Sequence, residues 1–97
     1  MEKGDVEPGK LHRRERARIF YDILSTIMEL ELEGAAKITR LQNDVNLPSD
    51  RLRVYLREMT GLGLVEYGET LRSTEKGRAF AREYKKVVDI LQQFGLL

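Results

Sequence analysis

The chain has no cysteine, which removes disulfides, thiolate nucleophiles and cysteine zinc sites together. Tryptophan is absent too, and aromatic residues make up 7% of the chain, so any core must be chiefly aliphatic. The single histidine, His12, cannot form a metal site built on several imidazoles; His12 with Glu15 offers two ligands, which is too few. Pro8 and Pro48 are the only prolines, leaving room for long uninterrupted helices. No apolar run approaches the roughly 20 residues that span a bilayer, and no signal-peptide pattern opens the chain. Both absences predict a soluble, cytoplasmic protein. No phosphate-binding or dinucleotide glycine motif occurs, and Gly61, Gly63 and Gly68 read as turn residues. No serine has a positioned base nearby, and carboxylate pairs such as Glu29 with Glu33 read as solvated helix surface. These gaps argue against an enzyme and indicate no cofactor, metal or identifiable small-molecule ligand.

What is present is one domain's worth of chain: 97 residues, 41% hydrophobic and 34% charged. The net charge is only +1, but the charges are segregated. Residues 10–18 carry five bases and one acid, residues 22–33 four acids and no base, and residues 72–86 six bases and two acids. Local potential, rather than the net sum, attracts phosphate. The competing reading of such runs is simple solvation of helix surfaces.

Periodicity orders the chain. Residues 1–11 combine Gly4, Pro8 and Gly9 with charge and predict a flexible arm. Residues 13–33 read as a long helix in which Ala17, Ile19, Phe20, Ile23, Leu24, Ile27, Met28, Leu30 and Leu32 recur at three- and four-residue spacing. An apolar arc that wide predicts burial from two directions, with Gly34 as the C-cap. A short amphipathic helix follows over residues 36–44, with Ile38, Leu41 and Val45 inward. After a tight turn at Asn46, Leu47 and Pro48, Ser49 is positioned to cap a third helix to Gly61, with Asp50 in its first turn. Its buried stripe is Leu52, Tyr55, Leu56, Met59 and Leu62. Residues 64–67 and 70–73 read as strands joined by a two-residue Gly68-Glu69 turn. Thr74 or Ser73 caps a last helix that ends near Gly95.

The order helix, helix, turn, helix, hairpin, long helix predicts a mostly α winged helix-turn-helix with a long C-terminal helix, in which the helix after the turn fits the major groove of B-DNA. Residues 12–73 are expected to form the DNA-binding domain, and residues 74–97 a long C-terminal helix that serves as the dimerisation element. Opposite the buried stripe lie Arg53, Val54 and Arg57. An arginine can hold guanine through O6 and N7, and Val54 can touch a thymine methyl. Ser49 sits at the leading end. Arg51, to the side, suits a phosphate, as do Lys37 and Arg40 on the preceding helix and Arg72 on the wing. The alternative is that these arginines merely solvate an amphipathic helix.

The run Asn46-Leu47-Pro48-Ser49 into Leu52-Arg53-Val54-Tyr55-Leu56, then Gly63-Leu64-Val65, then Leu71-Arg72-Ser73-Thr74-Glu75-Lys76-Gly77, resembles the archaeal winged-helix family of small transcriptional regulators and chromatin-associated DNA-binding proteins. The resemblance covers roughly residues 13–91. It implies binding of double-stranded DNA by the third helix and wing, a nucleoid-associated location, and dimerisation through the last helix as an antiparallel coiled coil. The chain departs from strongly basic members in its near-neutral charge and in a wing carrying Glu66 and Glu69, which argues against insertion of the wing into a minor groove.

In the last helix Phe80, Tyr84, Val87, Leu91 and Phe94 follow a four-three-four-three spacing over about two heptads. That seam fits a homodimer, and equally a helix packed on its own first helix. The expected function is DNA binding as a dimeric transcriptional regulator. Two other classes remain open: a winged-helix protein-interaction module in a larger assembly, and a sensor with a ligand pocket at the dimer seam.

Overall fold

The computed structural model describes residues 8–97, with side chains from residue 15 onward. The His12 side chain and residues 1–7 of the expected arm lie outside what is described. Helix α1, Pro8–Glu33, begins five residues before the expected start. Residues 8–11 are therefore helical rather than part of an arm, and Pro8 occupies a first-turn position where its missing N–H costs nothing. The helix ends where expected, at Gly34, which takes φ 144°.

Helices α2, Ile38–Val45, and α3, Ser49–Gly61, are joined by residues 46–48. Asn46 closes α2 in the left-handed region at φ 58°, its N–H donating to the Gln42 carbonyl at 3.3 Å. Asparagine tolerates that conformation better than most residues. Ser49 was expected to cap α3; instead Pro48 holds the cap position and Ser49 lies in the first helical turn, with no side-chain cap. Asp50 stands in that first turn as expected.

Strands β1, Val65–Tyr67, and β2, Leu71–Ser73, form an antiparallel hairpin in the register Val65 with Ser73, Glu66 with Arg72, and Tyr67 with Leu71. Three residues, 68–70, make the loop, not two. Gly68 does not take the positive φ that a two-residue Gly-X turn demands. Ala36, just before α2, adds a single bridge to the hairpin by accepting from the Leu71 N–H at 2.8 Å. Helix α4 spans Glu75–Gln93.

The core lies where one face of α1 meets α2, α3 and the hairpin. Ile23, Leu24 and Ile27 of α1 are fully buried against Leu41, Leu52, Leu56, Met59, Val65 and Leu71. Phe20 meets Tyr55 edge to face at 6.2 Å between ring centres. The far side of the α1 arc is covered only in part: Met28 is half-buried and Leu32 is 89% exposed. Leu62, expected inside, is 51% exposed because α3 has ended and Leu62 is its C-cap.

Helix α4 is fastened to the α3–β1 corner by its own first turn. Thr74 Oγ1 accepts from the Gly77 N–H at 2.9 Å and donates to the Gly63 carbonyl at 2.6 Å. Lys76 Nζ donates to the Leu62 carbonyl at 2.7 Å. Gly77 packs so closely that a Cβ there would collide with the Leu64 carbonyl oxygen and press on Leu24 Cδ2 at 3.1 Å. No described helix is long and apolar enough to cross a membrane.

Candidate nucleic-acid interface

With about 100° between successive helix residues, the buried line Leu52, Leu56 and Met59 fixes every other direction around α3. Asp50, Val54 and Gly61 lie opposite that line. Arg53, Arg57 and Thr60 are turned toward the hairpin, where with Gly61 and Tyr67 they line an open cleft of about 450 Å³. Arg51 and Glu58 are turned the other way, toward α1. All of Asp50, Arg53, Val54 and Arg57 are exposed, and among the described residues neither Arg53 nor Arg57 makes an ion pair. The two arginines singled out in the sequence therefore do come together on the exposed side of α3, one turn apart.

The other expected contacts are placed differently. Arg51 Nη2 donates to the Tyr55 hydroxyl at 3.1 Å, and its guanidinium sits 5.9 Å from that ring's centre. The hydrogen bond to Tyr55 raises the Arg51 pKa, and it commits the side chain to its own helix. It lies in a groove of about 450 Å³ between α3 and α1, with Glu15, Asp50 and Glu58 as acidic neighbours and Arg16 as a second base. Glu58 Oε1 is buried with no hydrogen-bond partner, and Arg16 Nε approaches it at 3.9 Å. Arg40 is held between Glu33 and Asp44, each at 3.5 Å. Lys37, the N-cap of α2, and Ser49, in the first turn of α3, are both exposed. Arg72 is exposed on β2, directly opposite Glu66.

In the sequence, Tyr67 marks only the end of a strand. It shares a hairpin face with Val65, but the core has run out at the strand's end and its ring is 47% exposed beside Arg53 and Arg57. The signal was available: an aromatic at the last inward position of a strand that follows directly on the third helix.

The expected seam on α4 splits in two. Phe80 packs against the core and lies 5.7 Å from Tyr84, whose ring is 5.1 Å from Tyr21 of α1. This half faces the chain's own first helix. Leu91 is half-buried, while Val87, Ile90 and Phe94 are exposed, as are Leu96 and Leu97 beyond the helix.

A helix pair joined by a three-residue turn, followed by a β-hairpin, with the second helix of the pair open to solvent along one side, defines a winged helix-turn-helix domain. A family model described as winged helix-turn-helix matches residues 13–92, and the chain belongs to that family. Comparison with curated proteins and with solved structures gave no match.

Proposed function

We propose that this protein binds double-stranded DNA through α3, acts as a homodimer, and serves as a transcriptional regulator of the small archaeal, nucleoid-associated kind that its sequence resembles. The observation that carries this reading is the exposed pair Arg53 and Arg57, without an ion pair among the described residues, on the helix that follows the helix-turn-helix turn. An unpaired guanidinium needs no prior partner to be broken before it meets a nucleic acid, whereas Arg40 and Arg51 must first leave theirs. The exposed half of α4 supports the dimer, which would present two copies of α3 to half-sites about one DNA turn apart.

Titration of duplex DNA with wild type and with the Arg53→Ala/Arg57→Ala double variant across a salt series tests the reading, with circular dichroism to verify the fold. Wild type is expected to bind with a steep negative salt dependence, and the double variant to lose at least about 1 kcal/mol per arginine removed. Failure of wild type to bind at low salt would put the protein-interaction module in its place, a role for which the exposed acids Glu66 and Glu69 on the hairpin are suited.

A further inference from the structure

We infer that the cleft between α3 and the hairpin is a seat for the DNA sugar-phosphate backbone, built by Arg53, Arg57 and Tyr67, so that these arginines grip phosphate rather than read base edges. The inference rests on the DNA-binding reading above and assigns a role to one side of that surface.

Direction comes first. A base-reading side chain must stand on the outermost line of a helix lying in the major groove, because that line faces the base edges. In α3 the outermost positions are Asp50, Val54 and Gly61, which offer a carboxylate, two methyls and no side chain. Arg57, about 20° beyond Asp50 around the helix, and Arg53, about 40° further, are turned to the hairpin side of that line and share a cleft with Tyr67. When such a helix lies in a groove, its flanks face the backbone walls.

Charge comes second, and the two flanks of α3 make an internal comparison. The groove toward α1 holds Arg16 and Arg51 against Glu15, Asp50 and Glu58, an acidic majority that repels phosphate. The cleft toward the hairpin is lined by two arginines and no acid. Strand alternation turns Glu66 to the opposite hairpin face from Tyr67, and neither Glu66 nor Glu69 lines the cleft.

Shape comes third. A cleft of about 450 Å³ has room for a phosphodiester with an adjoining sugar, and a Cβ on Gly61 would meet nothing within 4 Å, leaving that wall open to close approach. Thr60 already spends its hydroxyl proton on the Leu56 carbonyl at 2.8 Å, so the donors aimed at a phosphate are the guanidiniums and the Tyr67 phenol. The ring of Tyr67 supplies an apolar wall for the sugar.

The test compares wild type with Arg53→Ala, Arg57→Ala, Arg53→Lys, Arg57→Lys and Tyr67→Ala on AT-rich, GC-rich and mixed duplexes over a salt series. Each arginine-to-alanine change is expected to weaken binding about tenfold by the same factor on every duplex, and to reduce the logarithmic salt slope by about 1. Each lysine variant should recover most of the affinity, since an ammonium serves a phosphate as a point charge but cannot reproduce the two-pronged guanine contact. Tyr67→Ala should weaken all duplexes alike without changing the slope. Losses confined to GC-containing duplexes, with no lysine rescue and no change of slope, overturn the backbone seat while leaving DNA binding in place. So does wild-type binding that neither alanine change weakens. Absence of wild-type binding to any duplex overturns the DNA-binding reading, and this inference with it.

Discussion

Gly77 shows how two opposed terms are decided at a single residue. In a helix interior, alanine is favoured over glycine by about 1 kcal/mol, and Gly77 is a buried residue of the first turns of α4. Against that, a Cβ at this position runs into the Leu64 carbonyl oxygen and crowds Leu24. The obstacle is main chain, held in turn by the Thr74 N–H donating to that same carbonyl at 3.2 Å, so it cannot swing aside as a side-chain end would. Overpacking of this kind costs about 1–3 kcal/mol, which outweighs the propensity gain. Gly77→Ala is expected to lower the urea unfolding midpoint, with a net destabilisation of about 1–2 kcal/mol. A midpoint at or above that of wild type would mean that α4 can slide outward at little cost. The Thr-Glu-Lys-Gly sequence at positions 74–77 is thus a clamp: threonine caps α4 and ties down Gly63, lysine reaches the Leu62 carbonyl, and glycine permits the close approach. Its role is positional: it ties the start of α4 to the corner between α3 and β1.

Elements are joined by a second polar device. Glu31, near the end of α1, accepts from the Ser73 N–H at 3.0 Å and from the Ser73 hydroxyl at 2.7 Å, while Arg78 Nη1 donates to the Ser73 carbonyl at 2.9 Å. Three elements, α1, β2 and α4, meet at this one buried serine. Removing the carboxylate strands a main-chain donor at the end of β2 and leaves the Arg78 charge without the acid it faces across Ser73. Glu31→Ala is expected to destabilise by about 1–3 kcal/mol, read in the same urea unfolding assay, with Glu29→Ala as an exposed control of near-zero effect. Equal effects of the two changes would assign Glu31 to ordinary helix surface. At this scale the sequence was informative wherever a period or a cap signalled an element. The four helices, the hairpin and Thr74 as a cap all follow from such signals. It was silent where a feature has no period: the lone pairing of Ala36 with Leu71, and the Glu31–Ser73 contact between residues 42 positions apart. Ser49 fits the sequence pattern of a cap, yet Pro48, whose φ is already fixed, takes the flanking position instead. The candidate DNA surface was partly legible. The alternation of buried and exposed residues in α3 locates Arg53 and Arg57, but it does not show which neighbours compete for a base. Arg51 was taken up by Tyr55 four residues on, and Arg40 by Asp44 at the same spacing together with Glu33. These i, i+4 pairings are visible in the sequence once both ends are known to lie on one helix face.

For the whole molecule, the open question is what covers the far half of α4, and magnitudes constrain the answer. Phe80 and Tyr84 spend the near half of the seam on the chain's own α1, leaving Val87, Ile90 and Phe94 exposed on the same helix. The charges flanking them are already paired within the helix, Lys85 with Asp89 at 3.1 Å and Lys86 with Glu83 at 3.2 Å, so a partner need supply only apolar surface. A second copy, related by a two-fold axis, offers the same three side chains. Burying six such groups contributes on the order of 10 kcal/mol, against an association cost of about 4–15 kcal/mol. With the cost near the low end of that range, about 6 kcal/mol remains, a Kd in the tens of micromolar. A reversible, concentration-dependent dimer is therefore expected, rather than the obligate one a full-length coiled coil would give. In sedimentation, wild type should shift from monomer to dimer across the micromolar range, and Ile90→Glu/Phe94→Glu should remain monomeric with unchanged helical content, because both positions are exposed in the monomer. The same variant should bind a single half-site as wild type does but lose the added affinity wild type shows for two half-sites about 34 Å apart. A wild type that stays monomeric throughout that range, or a double variant that still dimerises, would show that this stripe does not join two copies, and α3 would then meet DNA one domain at a time.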